Sequence, residues 1–352
     1  MVIRIGVVGV GFGAKVQAPA FQDEGFEVAA ICSRREERVR EAAASLGIPH
    51  AYTDYRRMLE QPDLDAVSIA TPPNLHHDMT AAALDAGKHV LCEKPFAMDE
   101  ADAKAMLDQA RGTDLTAMVA HEFRFAPARA YVKELLEQGY IGDFQSASVT
   151  LFMRGGPPGG RPGFDWRQQY SYGGGQLGGL GSHYIDCLRD WFGDVASVSG
   201  RVFTPESGAH GDDTSDDAFG LLMTFAKGGW ASLAADFVAP LGSKVRMEIH
   251  GSEGSLSLSH AGPNPPPDGA VFGARHAEDK ELRELPVPER FHVAADERDA
   301  RLGAFRVLAA RFRRGIEEGT SPTPNFEDAY RCQQIMDAVR FGAAKGWTDL
   351  GE

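Results

Sequence analysis

A glycine-rich turn close to the amino terminus constrains the fold more than any other feature of the sequence. It reads Gly9-Val10-Gly11-Phe12-Gly13-Ala14 and follows the apolar run Val2–Val8. In the pattern GxGxxG/A, the first glycine permits a tight turn and the second lets a pyrophosphate approach the backbone. The last small residue lets helix and strand pack closely, and the helix amino terminus attracts the anion. The run predicts a dinucleotide-binding strand–turn–helix with these cofactor-binding residues: Gly9, Gly11, Phe12, Gly13 and Ala14.

Strand-like and helix-like segments alternate through the first part of the chain. The predicted strands are Val2–Val8, Glu27–Cys32, Ala66–Ala70, His89–Cys92 and Leu115–Ala120. The predicted helices between them are Ala14–Phe21, Glu36–Leu46, His76–Ala86 and Asp99–Ala110. Such alternation predicts an α/β domain with a parallel, doubly wound Rossmann sheet, over residues 1–123.

The pattern changes after Arg124. One helix ends near Gln138, and the strand candidates that follow have no helices between most of them: Phe144–Met153, Val195–Val202, Ala218–Phe225, Trp230–Phe237, Lys244–His250 and Ser255–Leu258. Residues 154–163 and 261–269 are rich in glycine or proline and predict loops. We therefore predict an α+β domain at 124–352 with a large, mostly antiparallel open sheet, whose C-terminal helix packs toward the first domain.

Composition narrows the range of partners. The 352 residues include 36 Lys+Arg and 50 Asp+Glu, a net charge of −14 that disfavours binding to nucleic acid or to an anionic membrane. No apolar run approaches the roughly 18 residues of a membrane span. The start of the chain lacks the pattern of a signal peptide, and the four cysteines form no CxxC motif. We expect a cytoplasmic protein with reduced thiols and no metal site.

The residues after the second predicted strand bear on the choice of cofactor. An NAD site usually has a carboxylate there, whereas this chain has Cys32-Ser33-Arg34-Arg35. Arg34 is suited to pair with a 2′-phosphate, and Ser33 to donate to it, which favours NADP(H) over NAD(H). Ser33 and Glu36 also fit a helix capping box, a reading compatible with the first.

Two further segments carry reactive side chains. Lys94 follows the fourth predicted strand, where ligands bind in doubly wound sheets, and it is suited to polarise a carbonyl or hydroxyl oxygen. Downstream, glycines at 173–181 open a helix on which Gly179, His183 and Asp186 share one face. Asp186 is placed to orient His183 or to bind substrate hydroxyls. A surface lysine and a buried core histidine are the alternatives.

In these residues the chain resembles the Gfo/Idh/MocA (glucose–fructose oxidoreductase, inositol dehydrogenase, rhizopine catabolism) family along nearly its whole length. The markers beside the glycine-rich turn are Thr71-Pro72-Pro73-Asn74-Leu75-His76, Glu93-Lys94-Pro95, Arg124-Phe125-Ala126-Pro127 and Gly181-x-His183-x-x-Asp186. The resemblance implies an NAD(P)-dependent oxidoreductase of sugars, cyclitols or related polyhydroxylated compounds. It also implies a homodimer or homotetramer formed through one face of the second sheet, with the substrate site on the other.

The resemblance also assigns residue roles. Lys94 matches the catalytic lysine and His183 the usual general acid/base. Further cofactor-binding positions are Ser33, Arg34, Thr71, Pro72, Asn74, His76, Glu93 and Lys94. The substrate-binding positions are Asp186, Trp166, Arg124 and Tyr170, with Trp166 either stacking on a sugar face or packing in the core.

The chain departs from the family at one position. Many members have an aspartate four residues before the histidine, where this chain has Gly179. Asp165, Arg167 or Tyr170 is a candidate to replace it. The leading hypothesis is hydride transfer between NADP(H) and a secondary alcohol or ketone. The alternatives are a non-catalytic NAD(P)-binding sensor and a redox-assisted glycoside cleavage.

Overall fold

Six parallel strands form the first sheet of the protein in this computed structural model, which describes residues 2–154, 165–204, 211–261, 269–292, 296–342 and 346–350. The strands are β1 (Arg4–Val8), β2 (Glu27–Cys32), β3 (His50–Tyr52), β4 (Ala66–Ile69), β5 (His89–Cys92) and β6 (Ala117–Val119). They lie in the order β3-β2-β1-β4-β5-β6. The order reverses between β1 and β4, which is the switch point at which doubly wound sheets bind ligands. The predicted Rossmann-type sheet is confirmed.

The helices around this sheet begin and end at recognisable signals. They are α1 (Ala18–Asp23), α2 (Glu36–Leu46), α3 (Tyr55–Leu59), α4 (His76–Asp85) and α5 (Glu100–Arg111). Asp99 caps α5 by accepting a hydrogen bond from the Asp102 amide, and Gly47 ends α2 at a φ of 65°. A π-helical turn, Gly13–Gln17, precedes α1, where the sequence predicts one continuous helix.

The second sheet has nine strands, and the predicted mostly antiparallel arrangement is confirmed. The elements from here to the C-terminus are α6 (Pro127–Glu137), β7 (Phe144–Arg154), α7 (Ser182–Phe192), β8 (Val195–Phe203), β9 (Ala218–Phe225), β10 (Trp230–Asp236), β11 (Val238–Gly251), β12 (Gly254–Ala261), β13 (Ala270–Arg275), β14 (Arg283–Leu285), α8 (Leu302–Glu318), α9 (Phe326–Phe341) and β15 (Thr348–Asp349). The strand order is β14-β13-β12-β11-β7-β10-β9-β8-β15, and β7 and β10 pair in parallel.

One face of this sheet carries the core of its part of the chain. Alternate residues of β7, such as Val149 and Leu151, are buried, as are Leu221 of β9 and Leu233 of β10. The residues between them are mostly small and face away from that core. Among the described residues, one face of the sheet is therefore buried, and the opposite face carries the more exposed side chains.

The chain divides into two compact units, each with its own core. The first comprises Met1–Glu122 and Ala295–Tyr330, and the second Phe123–Ala294 and Arg331–Glu352. In the first unit α8 packs on α1, with the ring of Phe305 5.9 Å from that of Phe21. This division groups Ala295–Tyr330 with the amino-terminal segment, whereas the sequence prediction gives them to a domain at 124–352.

Two predictions concern segments that the structure covers only in part. The predicted loops at 154–163 and 261–269 fall mostly outside the described residues. Among the residues that are described, no helix combines the length and apolar character needed to cross a membrane.

Candidate functional site

Most of the predicted cofactor-binding residues gather at one edge of the first sheet. The glycine-rich turn follows β1, Ser33 follows β2, Thr71 lies two residues after β4, and Glu93 and Lys94 follow β5. Because these strands are parallel, their carboxyl ends meet at the same edge of the sheet, beside the switch point. The topology therefore brings the predicted phosphate-binding turn and the predicted catalytic lysine to one edge.

The glycine-rich turn has distinct requirements at its three glycines. Gly9 has a φ of 121°, and a Cβ atom there would lie 2.2 Å from the carbonyl oxygen of Ala70. A Cβ at Gly13 would lie 2.9 Å from Val7 Cγ1, so Gly13 allows the close approach of helix and strand that the sequence assigns to Ala14. At Gly11, a Cβ would meet no heavy atom within 4 Å in the described part of the chain. The turn thus leaves room for a pyrophosphate to approach the backbone.

A cation from a distant part of the sequence lies beside this turn. The guanidinium carbon of Arg301 is 5.0 Å from the ring centroid of Phe12. Arg301 is itself paired with Asp299, from Nε to Oδ1 at 2.8 Å and from Nη2 to Oδ2 at 2.6 Å. Sequence reasoning missed Arg301 because no local pattern connects it with Phe12.

The end of β2 differs from one sequence prediction. Helix α2 begins at Glu36 with Arg35 at the N-cap position, so the predicted capping box of Ser33 and Glu36 does not form. The Ser33 hydroxyl instead lies 3.5 Å from the amide nitrogen of Arg35, and Arg34 is exposed. Ser33 and Arg34 are therefore at the strand end but outside the helix.

His76, a predicted cofactor-binding residue, is buried, and both of its ring nitrogens face backbone carbonyl oxygens. Its Nε2 lies 2.9 Å from the carbonyl oxygen of Thr71, and its Nδ1 lies 3.2 Å from that of Phe96. Burial lowers the pKa of this histidine. The ring thereby connects the loop after β4, which contains Pro72 and the exposed Asn74, with the segment after Lys94.

A buried hydrogen-bonded chain lies next to Lys94. The side-chain amide of Gln17 donates to Glu93 Oε1 at 2.8 Å, and the Ser68 hydroxyl donates to Gln17 Oε1 at 2.8 Å. The Lys94 amide donates to Glu93 Oε2 at 3.2 Å. Burial, and then the charge of Glu122, raise the pKa of Glu93 to about 8. Glu93 therefore adjoins Lys94 from a buried position.

In the second unit, the predicted general acid/base is on a helix with an irregular start. A π-helical turn, Leu177–Gly181, leads into α7, and His183 lies in the first turn of that α-helix. Asp216 accepts a hydrogen bond from the Leu177 amide at 2.7 Å, and its burial raises the pKa of its carboxyl group. Asp216 stabilises the start of the helix that carries His183.

Two predicted substrate-binding residues bind each other. Arg124 donates from Nε to Asp186 Oδ2 and from Nη2 to Asp186 Oδ1, both at 2.6 Å, and both side chains are buried. Arg124 also donates to Asp190 at 2.9 Å, and Lys133 donates to the same Asp190 oxygen at 2.8 Å. Since both Asp186 oxygens accept from Arg124, the pair fixes α7 to the segment that precedes α6.

The other predicted substrate-binding residues lie between β7 and α7. Trp166 is half-buried in a 3₁₀ turn, with the guanidinium carbon of Arg167 5.8 Å from its ring centroid. Tyr170 is exposed, and Asp165 accepts a hydrogen bond from the Arg167 amide at 3.1 Å. Their contact with a substrate, and the replacement of the family aspartate by one of them, stay predictions.

Comparison with known proteins decides the family. Residues 3–121 match the oxidoreductase family with an NAD-binding Rossmann fold, and residues 130–257 match the GFO/IDH/MocA C-terminal domain. A dTDP-3,4-didehydro-2,6-dideoxy-alpha-D-glucose 3-reductase of Streptomyces violaceoruber is 31% identical over 97% of this chain and 95% of that protein. The chain belongs to the Gfo/Idh/MocA oxidoreductase family.

Other members of the Gfo/Idh/MocA family show the range of cofactors. Levoglucosan dehydrogenase of Pseudarthrobacter phenanthrenivorans is 29% identical over 99% of this chain and 98% of its own length. A levoglucosan dehydrogenase solved with NADH and levoglucosan has a TM-score of 0.88, at 28% identity and full coverage of both chains. A 3-ketoreductase from Actinomadura kijaniata solved with NADP has a TM-score of 0.78, at 28% identity, covering 97% of this chain and 98% of its own.

Because the chain belongs to the Gfo/Idh/MocA family and these relatives are dehydrogenases and reductases, it is an enzyme. It is an NAD(P)-dependent dehydrogenase or reductase that acts on CH–OH groups, within a family of sugar-type oxidoreductases.

Proposed function

We propose that this enzyme transfers a hydride between NADP(H) and a secondary alcohol or ketone of a sugar, cyclitol or related polyhydroxylated compound. The observation that carries the proposal is the position of Lys94, two residues after β5 at the sheet edge that bears the glycine-rich turn. The nicotinamide, when bound, supplies or accepts the hydride. The levoglucosan-bound relative supports a polyhydroxylated substrate.

Lys94 and His183 divide the remaining chemistry. Lys94 stabilises the negative charge that develops on the reacting oxygen, and His183 takes or gives the hydroxyl proton. Glu93 holds the backbone of Lys94 in place, since the Lys94 amide donates to its carboxylate. His76 acts through the backbone of the cofactor loop, since both of its ring nitrogens face carbonyl oxygens.

The residues after β2 support NADP(H) as the preferred cofactor. Ser33 and Arg34 follow the strand, and neither is a carboxylate that would hold a ribose 2′-hydroxyl. Arg34 is exposed and is suited to pair with a 2′-phosphate. The 3-ketoreductase solved with NADP supports the proposal, whereas the levoglucosan dehydrogenase solved with NADH shows that relatives of similar identity also bind NADH. The four cysteines are buried and none of them is in a disulfide, which supports a reducing compartment, the cytoplasm.

The outer face of the second sheet supports self-association into a homodimer or homotetramer. Phe152, Leu222 and Trp230 point from that face and are 46%, 42% and 48% exposed. Between them lie small residues such as Ser148 and Ser232, which allow a second sheet to approach closely. A second copy of this chain is the proposed partner.

Calorimetric titration of the cofactor-free protein with NADPH and with NADH, followed by a turnover screen of sugars and cyclitols, tests the proposal. Tighter binding of NADPH and turnover of a polyhydroxylated alcohol are expected. Binding without turnover would favour the sensor alternative, and aglycone release without NADPH accumulation would favour glycoside cleavage. Binding of neither nucleotide would overturn the proposal.

A further inference from the structure

The imidazole of His183 is stacked face to face on the ring of Phe123. The two ring centroids are 3.7 Å apart, and the ring planes differ by 4°. Phe123 is 3% exposed and His183 1% exposed, so solvent barely reaches either ring. A parallel contact over a whole ring face resists tilting of the imidazole, because a tilt would drive its edge into the phenyl ring.

Phe123 is itself held by neighbours from two helices. The guanidinium carbon of Arg129 on α6 is 4.9 Å from the Phe123 centroid and 5.1 Å from that of Tyr184 on α7. Arg129 is wholly buried, where attraction between a cation and a ring is stronger than at a surface. Tyr184 meets Phe123 edge to face, with centroids 6.3 Å apart and planes at 86°. The position of Phe123 is therefore held by Arg129 and Tyr184.

The orientation of an imidazole ring matters for proton transfer. Each ring nitrogen accepts or donates a proton along a direction that lies in the plane of the ring. The first turn of α7 holds the backbone of His183, and the stack restricts the rotations of the side chain that would change the plane of the ring. The plane set by Phe123 therefore restricts the directions in which the nitrogens of His183 can point.

We propose that Phe123 is a positioning residue for His183, which it holds in the ring plane needed to exchange a proton with the substrate hydroxyl. The proposal rests on the role of His183 under the proposed function. Phe123 acts through the imidazole, and a residue of this kind affects turnover more than the binding of cofactor.

Phe123→Leu tests the proposal, because leucine keeps the site apolar but offers no flat face. The matched control is Phe144→Leu, since Phe144 stacks on Phe192 in the same unit with centroids also 3.7 Å apart and planes at 11°. We expect Phe123→Leu to lower kcat about ten- to hundredfold while the Kd for NADPH stays unchanged. Phe144→Leu should lower Tm but leave kcat close to that of the wild type. Equal losses of kcat in both variants would overturn the proposal.

A double-mutant cycle separates this proposal from the role of His183. If Phe123 acts through the imidazole, Phe123→Leu causes no further loss of kcat in a His183→Ala background. A full additional loss would overturn the positioning role while leaving His183 in place. Unchanged kcat in His183→Ala alone would instead overturn the proposed role of His183, and with it the basis of the inference. If the leucine variant does not fold, Phe123→Met, whose flexible side chain refills the space, replaces it in the same cycle.

Discussion

Gln17 and Glu93 meet in a buried hydrogen bond of 2.8 Å, in which the glutamine amide donates to the carboxyl group. Gln17 lies in the π-helical turn after the glycine-rich turn, and Glu93 lies between β5 and Lys94. Ser68 on β4 fixes the glutamine in this orientation by donating to its carbonyl oxygen. These three hydrogen-bonded side chains therefore connect the helical turn that follows the glycine-rich turn with the segment of the proposed catalytic lysine.

The first prediction concerns the pH dependence of stability. The pKa of Glu93 is raised to about 8 by burial and by Glu122, above the ordinary value of 4.5. Between these pH values the folded protein retains a proton that the unfolded chain releases. The contribution of Glu93 to the free energy of unfolding is therefore complete below pH 4.5 and falls as the pH rises to about 8.

Glu93→Gln removes this titration and keeps the acceptor for Gln17. We expect its free energy of unfolding, relative to wild type, to increase steadily between pH 4.5 and 8 and then to level off. Denaturant titrations across this range measure it, with Glu37→Gln on the exposed face of α2 as the control. Parallel profiles for Glu93→Gln and wild type would contradict the raised pKa.

Lys94→Ala is expected to lower kcat by orders of magnitude, because it removes the cation proposed to stabilise the reacting oxygen. Nucleotide binding should persist, since the glycine-rich turn is unchanged. Steady-state kinetics and calorimetric titration measure the two effects separately. Lys104→Ala, which removes an exposed α5 lysine paired with Asp108, is the control and should behave as wild type. Near-normal turnover of Lys94→Ala would refute the catalytic role.

Arg34→Ala is expected to weaken the binding of NADPH by about tenfold or more and to leave the binding of NADH unchanged. The reason is that only NADPH carries the 2′-phosphate with which Arg34 would pair. Calorimetric titration with each nucleotide measures the ratio of the two Kd values. Arg38→Ala, on the exposed side of α2, provides the comparison. An equal loss of affinity for both nucleotides would argue against recognition of the 2′-phosphate.

Arg124→Met is expected to lower the free energy of unfolding by about 3–5 kcal/mol, because Asp186 would keep a buried charge without its bidentate partner. Chemical denaturation measures this loss. Arg57→Met breaks an exposed ion pair with Glu60 and should leave the unfolding midpoint unchanged. A loss no larger than that of the control would show that Asp186 is accommodated without Arg124.

Trp230→Asp and Phe152→Asp are expected to shift the protein toward smaller species, because each adds a charge to the proposed contact face of the second sheet. Light scattering coupled to size-exclusion chromatography measures the mass of the species. Trp347→Asp, at an exposed tryptophan near the C-terminus, is the matched control. A wild-type protein that runs as a monomer at all concentrations would exclude the proposed assembly.

The extent to which the sequence predicts the fold depends on the length of each element. Strand β9 has the predicted bounds, Ala218–Phe225, and its buried residues alternate with less buried ones from Phe219 to Phe225. The strand His50–Tyr52 and the helix Tyr55–Leu59 are not predicted, since three or five residues are too few to establish a period. The parallel pairing of β7 and β10 is also not predicted, because alternation is the same for either direction of the partner strand.

In the candidate site, too, the sequence predicts residues that belong to a local pattern and misses residues that only the fold brings there. The glycine-rich turn and Lys94 are predicted as site residues because each follows a strand closely in the sequence. Gln17, Asp216 and Phe123 are missed, since an amide, an aspartate and a core aromatic carry no local pattern. Asp216 stabilises a helix start 39 residues before it, which only the folded chain can bring to it.

The surroundings of Gly179 bear on why this chain has a glycine at that position. In the described part of the chain, a Cβ atom there would meet only Gln176 Oε1, at 4.0 Å. The resemblance to the family leads one to expect an aspartate here, four residues before His183, and the first carbon of such a side chain would meet no described atom at closer range. Among the described residues, a clash at the Cβ atom therefore does not explain the glycine, and a Gly179→Asp variant would show whether substrate turnover depends on it.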